Sequence, residues 1–171
     1  MTTVRTRFAP SPTGFLHVGG IRTALFAWLV ARQAGGQFVL RLEDTDKVRE
    51  VPGSKEHLIA SLKALGLQYD EGPDIGGPYA PYTQSERLDH YRQWAEKLIA
   101  DGRAYADPYT PEKVQQFREE AQAAKKPFLY RDYRPENPPT WDGTRPLRFK
   151  SEPKPYTWHD EVMGNLSTGP E

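Results

Sequence analysis

His17 carries the one imidazole in a stretch rich in proline and glycine, Arg7-Phe8-Ala9-Pro10-Ser11-Pro12-Thr13-Gly14-Phe15-Leu16-His17-Val18-Gly19-Gly20. The prolines remove backbone donors and fix φ, whereas Gly14, Gly19 and Gly20 permit turns and close approach of a ligand to the backbone. Where such a loop opens a helix, the unpaired N–H groups and positive dipole end of the helix suit an anion, and His17 lies beside that end. The charges agree, because every charged residue before Glu43 is basic: Arg5, Arg7, Arg22, Arg32 and Arg41. The expected guest is a phosphate. A plainer reading stands beside it, in which the loop is a stiff connection and His17 a helix-start residue satisfied locally. Neither G-x-x-x-x-G-K-[ST] nor G-x-G-x-x-G is present to decide between them.

The second candidate is Glu43-Asp44-Thr45-Asp46. These carboxylates can bind Mg²⁺, cap the next helix or hold a substrate ammonium, and the residues alone leave the three open.

Both stretches need a frame, and the flanking sequence supplies one. Val4 to Phe8 reads as a strand. Ile21, Ala24, Leu25, Trp28 and Leu29 have helical spacing, which predicts a helix from Gly19 or Gly20 to Ala34, stopped by Gly35-Gly36. Phe38 to Leu42 reads as a buried strand. Strand, loop, helix and strand at this spacing form a βαβ unit, so the fold class is α/β with a parallel sheet. Ligands of such sheets sit at the carboxyl ends of the strands, where both candidate stretches fall. A further helix opens at Pro52-Gly53-Ser54 with Leu58, Ile59, Leu62 and Leu65 inward, and His57 on it reads as a surface or packing residue. Asp70 to Pro81 reads as a long loop and domain border, leaving the strand Phe38 to Leu42 with an open edge. A helix over Ser85 to Asp101 is predicted to turn Leu88, Tyr91, Trp94, Ala95, Leu98 and Ile99 inward.

The chain of 171 residues is long enough for one domain, or one and a half small ones, with a real core. Hydrophobic residues make up 37% and charged residues 27%, with a formal net charge of zero, so nucleic acid can be attracted only by local patches. Cysteine is absent, which excludes disulfides, thiolate nucleophiles and cysteine zinc sites. No stretch approaches the ~20 apolar residues of a membrane span. The N-terminus lacks the apolar core of a signal peptide, so a cytoplasmic location is expected.

The string RFAPSPTGFLHVGGIRTALF resembles the first signature of bacterial-type glutamyl-tRNA synthetases, class I enzymes with H-[IV]-G-x at the ATP site. The likeness continues through RLEDTD, Arg41 to Asp46, and DEGPDIGGPYAPYTQSERLDHY, Asp70 to Tyr91, and more loosely to the end of the chain. It implies the first half of a Rossmann-like catalytic domain over residues 1–81. An inserted α+β domain that grips the tRNA acceptor stem is implied over residues 82–171, the last of it returning toward the catalytic fold. The implied reaction is activation of glutamate by ATP with Mg²⁺ to glutamyl-adenylate, then transfer to the 3′ end of tRNA.

The resemblance also implies roles. His17, Gly19 and Gly20 would be catalytic, with Thr13, His17 and Gly19 on ATP. Arg7 would pair with the side-chain carboxylate of glutamate, Glu43 would favour its α-ammonium, and Ala9 and Ser11 would line the pocket. Asp44 and Lys47 would approach the tRNA 3′ end, and Tyr82, Gln84, Ser85 and Arg87 would serve first as structure. No zinc is expected, because Asp107, Tyr109 and Tyr133 stand near where some members carry zinc cysteines. Thr110-Pro111-Glu112 starts a helix, Leu147 to Lys150 and Tyr156 to Trp158 read as strands, and Lys125, Lys126, Arg131, Arg134, Arg145, Arg148 and Lys150 interleave with Phe128, Tyr130, Tyr133 and Trp141. That mixture suits an RNA surface or, equally, solvated faces over ordinary aromatic packing. The lysine-bearing second signature and the anticodon domain have no counterpart here, so the chain alone is expected to bind weakly and catalyse nothing. Two alternatives remain at this stage: a glutamate-activating, tRNA-modifying paralogue, and a stand-alone RNA-binding module.

Overall fold

The computed structural model describes residues 3–169. The chain divides into two compact units, Met1–Leu88 and Asp89–Glu171. The border falls after Leu88 rather than after Pro81. Residues 82–87 belong to the first unit because their backbone extends its sheet, as described below.

In the first unit, β1 (Arg5–Phe8) and β2 (Gln37–Leu40) pair in parallel, with Arg7 opposite Val39 and Phe8 opposite Leu40. Helix α1 (Val18–Gln33) makes the crossover, which is the expected βαβ arrangement. It starts a residue or two earlier than its apolar spacing predicts, because His17 takes the capping position. Phe8, Ala24, Ala31, Phe38, Leu40, Leu42, Leu58, Leu62 and Leu67 form the core, the last three brought by α2 (Ser54–Ala64) and the turn after it. Leu65 does not join them: it is the C-cap of α2 and is 54% exposed.

The far edge of β2 is not open. Leu40 N–H donates to the Glu71 carbonyl and Asp70 N–H to the Phe38 carbonyl, and beyond them Leu42 N–H donates to the Tyr82 carbonyl and Gln84 N–H to the Leu42 carbonyl. The Asp70 to Pro81 segment, expected to leave this edge open, is therefore packed along it. The Glu71 carboxylate, 2% exposed, fastens it by pairing with Arg5 of β1 at 2.5 Å and accepting the Tyr82 hydroxyl. Gly77, at φ +145°, passes so close to Tyr82 and Glu71 that any Cβ would overlap them.

In the second unit α3 (Leu88–Ala100) leads to β3 (Ala104–Ala106), which pairs antiparallel with β4 (Leu147–Phe149). Helix α4 (Pro111–Ala123) lies between them in sequence, with Thr110 Oγ1 accepting the Lys113 N–H as its cap. A hairpin, β5 (Tyr156–Asp160) and β6 (Gly164–Thr168), closes the described chain. The predicted inward face of α3 is only partly buried. Tyr91, Ala95, Leu98 and Ile99 are half-buried, whereas Leu88 and Trp94 are 61% and 53% exposed.

Candidate active site

The residues after β1 turn back over the start of α1 and enclose a cavity of about 350 Å³. Its walls include Pro10, Ser11, Thr13, His17 and Gly20 from the loop and Leu58 from α2. Two contacts fix the loop to α2. The Pro12 carbonyl accepts the Val51 N–H and the hydroxyl of Ser54, both at 2.9 Å, and Ser54 is 1% exposed. Proline, which cannot donate, here serves as an acceptor that anchors the loop.

His17 is the N-cap of α1. Its Nδ1 accepts the Gly19 N–H at 3.1 Å. A neutral imidazole that accepts at Nδ1 carries its proton on Nε2, so the ring presents a donor on its other side. Such a donor beside a glycine backbone and a helix start suits an anion. The local cap fixes the orientation of the ring. Gly19 is required for this, since a Cβ there would lie 2.9 Å from His17 Cε1.

The acidic stretch lies at the carboxyl end of β2. Arg41 N–H donates to the Phe8 carbonyl and Glu43 N–H to the Pro10 carbonyl, each at 3.0 Å, so the segment after β2 runs beside the loop after β1. The half-buried Glu43 side chain and the exposed Arg7 side chain form no ion pair among the described residues. Asp44 differs. It is 8% exposed and accepts the Ser85 N–H at 2.9 Å, the Ser85 hydroxyl at 2.6 Å and Lys47 Nζ at 2.9 Å. Burial pushes its carboxyl up, but the Ser85 and Lys47 donors outweigh burial and hold it at about 2. Lys47 also bonds Glu50, and Asp46 pairs with Arg49 at 2.5 Å.

Of the expected site residues, Ser11, Thr13, His17 and Gly20 line the one cavity. Arg7, Ala9 and Glu43 border the same sheet edge without lining it, and Gly19 acts through His17. Asp44 faces inward, with its carboxylate oxygens on Ser85 and Lys47. The sequence reading gave no site role to Phe15, which lines the cavity and meets the edge of His57 at 5.0 Å, nor to Leu58. Helical spacing marks Leu58 as core, and nothing local marks the side of it that faces the loop.

The positions where zinc cysteines would stand are joined in another way. Asp107, 2% exposed, accepts Arg148 Nε at 2.8 Å, the Tyr130 hydroxyl at 2.5 Å and the Tyr109 N–H at 3.0 Å. Tyr109 meets Phe117 edge-on at 5.0 Å, and Tyr133 stacks on Phe117 at 4.2 Å. Burial pushes the Tyr130 hydroxyl up, and Asp107 adds to it, to about 12. No helix among the described residues is long and apolar enough to cross a membrane.

The family model "tRNA synthetases class I (E and Q), catalytic domain" matches residues 3–171. The chain belongs to this family. It is 52% identical over 157 residues to a glutamate–tRNA ligase of Roseiflexus castenholzii, which covers 90% of this chain and 30% of that protein. It is 47% identical over 175 residues to glutamate–tRNA ligase 1 of Fervidobacterium nodosum, covering 97% and 37%. The crystal structure of a glutamate tRNA ligase from Elizabethkingia meningosepticum in complex with its amino acid superposes with a TM-score of 0.82 at 39% identity, covering 98% of this chain and 36% of that one. The chain thus spans about a third of the length of these relatives. Its first unit is the beginning of a class I, Rossmann-like synthetase fold, and the cavity at His17 lies in the catalytic domain of that family.

Proposed function

We propose that the protein to which this chain belongs is a glutamate–tRNA ligase, and that the first unit supplies the phosphate side of its ATP site together with the glutamate contacts. The observation that carries this reading is the His17 cap: an imidazole locked by Gly19 at the start of α1, beside a glycine-lined cavity. In the first step the α-carboxylate oxygen of glutamate attacks the α-phosphorus of ATP, the new P–O bond forms, and the bond to pyrophosphate breaks. His17 Nε2–H and the first turn of α1 stabilise the negative charge that spreads over the phosphate oxygens. Mg²⁺ enters with the nucleotide, since it binds largely through phosphates. Arg7 receives the side-chain carboxylate in a bidentate pair, and Glu43 attracts the α-ammonium. In the second step the terminal ribose hydroxyl of tRNA attacks the adenylate carbonyl and releases AMP. Lys47, 59% exposed at its side chain, can still meet RNA. The second unit contacts the tRNA. The chain by itself, a third of its relatives' length, is expected to be inactive.

Glutamate-dependent exchange between ATP and pyrophosphate by the full-length protein, with tRNA added, tests the reading. Arg7→Ala should raise the KM for glutamate at least about tenfold with little change in the KM for ATP. Absence of exchange, or preference for glutamine over glutamate, overturns it. Exchange without charging of tRNA would point instead to the tRNA-modifying paralogue.

A further inference from the structure

Ser54 stands at the first position of α2 and is 1% exposed. A serine that opens a helix ordinarily accepts an N–H from the helix's own first turn. Here the cap is Gly53, in the left-handed region at φ +79°, and no side chain caps the helix. The Ser54 hydroxyl instead donates to the Pro12 carbonyl at 2.9 Å, 42 residues back in the chain. The Val51 N–H reaches the same oxygen at 2.9 Å, so both of its lone pairs are engaged. Between the Pro10 carbonyl, which accepts the Glu43 N–H, and the His17 cap, no other hydrogen bond among the described residues holds the backbone of the loop.

A trans peptide is planar, so its carbonyl and the N–H that follows point in opposite directions. Among the described residues the cis peptide is Ala80–Pro81, and the Pro12–Thr13 bond is trans. Drawing the Pro12 carbonyl onto α2 therefore turns the Thr13 N–H away from α2. Thr13 lines the cavity with His17, and its N–H meets no backbone carbonyl among the described residues. We infer that Ser54 is a positioning residue: by fixing the plane of the Pro12–Thr13 peptide, its hydroxyl holds the loop in the geometry that the phosphate step needs. The effect on rate rests on the reading of the protein as a glutamate–tRNA ligase. Misplacement of a reacting group by about 1 Å can cost on the order of 10²-fold in rate. Arg7 and Glu43 are held elsewhere, on β1 and by the Pro10 carbonyl, so loosening Pro12 leaves the glutamate contacts in place.

The test uses the full-length protein, with tRNA added, and three variants. Ser54→Ala removes the hydroxyl, Ser54→Cys keeps its volume with a weak donor, and Ser54→Thr keeps the hydroxyl. In glutamate-dependent ATP–pyrophosphate exchange the alanine and cysteine variants should lose about tenfold or more in kcat, with the KM for glutamate within about twofold of wild type. The threonine variant should keep kcat within about threefold. Amide hydrogen exchange reads the clamp without activity. The Val51 N–H, left as the one anchor on Pro12, should exchange about tenfold faster in the alanine variant, with the amides of Leu58 to Ala64 unchanged. Wild-type kcat in the alanine or cysteine variant overturns the inference, as does a KM for glutamate that rises in step with the loss of kcat. So does a threonine variant that melts like wild type yet loses kcat equally, or a Val51 amide whose exchange does not change. Absence of ATP–pyrophosphate exchange by the wild type sinks the ligase reading, and the Val51 amide then still decides whether Ser54 holds the loop.

Discussion

Asp44 accepts two hydrogen bonds from Ser85, one from its N–H at 2.9 Å and one from its hydroxyl at 2.6 Å, across 41 residues of chain. The bonds tie the segment after β2 to the segment that covers the far edge of β2. Glu43, next in sequence, is tied on its other side by its N–H to the Pro10 carbonyl at 3.0 Å. The segment carrying Glu43 is thus held between two anchors, and on the proposed reading of Glu43 as the α-ammonium contact Asp44 positions it.

Asp44→Ala should therefore act on both folding and binding. It leaves the half-buried Ser85 donors without their acceptor, at a cost of about 1–3 kcal/mol, and loosens Glu43. The expected kinetic result is a KM for glutamate raised several-fold with a smaller change in kcat. Thermal unfolding and glutamate-dependent exchange of the full-length protein check the two effects. Unchanged KM would show that Glu43 is positioned without Asp44.

The pH dependence follows from the same carboxylate. Its folded value, about 2, lies below the ordinary 3.8, so Asp44 favours the folded state most when it is ionised in both states. That contribution is fully present above about pH 4 and is lost as pH falls toward 2. Asp44→Asn should lower the melting temperature by a constant amount above about pH 4, with the difference from wild type shrinking below it. A melting series over this acid range checks the sign.

Gly19→Ala should separate activity from stability. The new methyl would meet the His17 ring, a movable side chain, at 2.9 Å, so the imidazole shifts and the fold remains. Alanine also favours helix over glycine by about 1 kcal/mol. Exchange activity should fall by about 10²-fold, the scale for loss of one preorganised donor, with the melting temperature unchanged or higher. A variant that melts markedly earlier would show that the glycine serves packing instead.

Asp107→Asn should destabilise the second unit by about 2–4 kcal/mol, because Arg148 and Tyr130 lose the carboxylate that joins them. Urea unfolding followed by circular dichroism measures it.

Periodicity and punctuation were enough to find β1, α1 and β2 and to place both chemical stretches at one edge of a parallel sheet. Those are local properties: helical spacing from Ile21 to Leu29, glycine stops at Gly35 and Gly36, an apolar run at Phe38 to Leu42. The family likeness of RFAPSPTGFLHVGG was equally legible, because it lies in a contiguous string. What the string could not contain was the partner of each side chain. That Asp44 turns inward to Ser85, that Glu71 joins Arg5 to Tyr82 and so ties an apparent loop to the sheet edge, and that Leu88 and Trp94 of α3 stay exposed are decided by residues far apart in sequence. A charge cluster reads the same whether its carboxylates meet solvent, substrate or a distant hydroxyl. Only the tertiary structure, by fixing which donors lie within reach, separates Glu43, whose side chain forms no ion pair among the described residues, from Asp44, whose carboxylate is taken by Ser85 and Lys47.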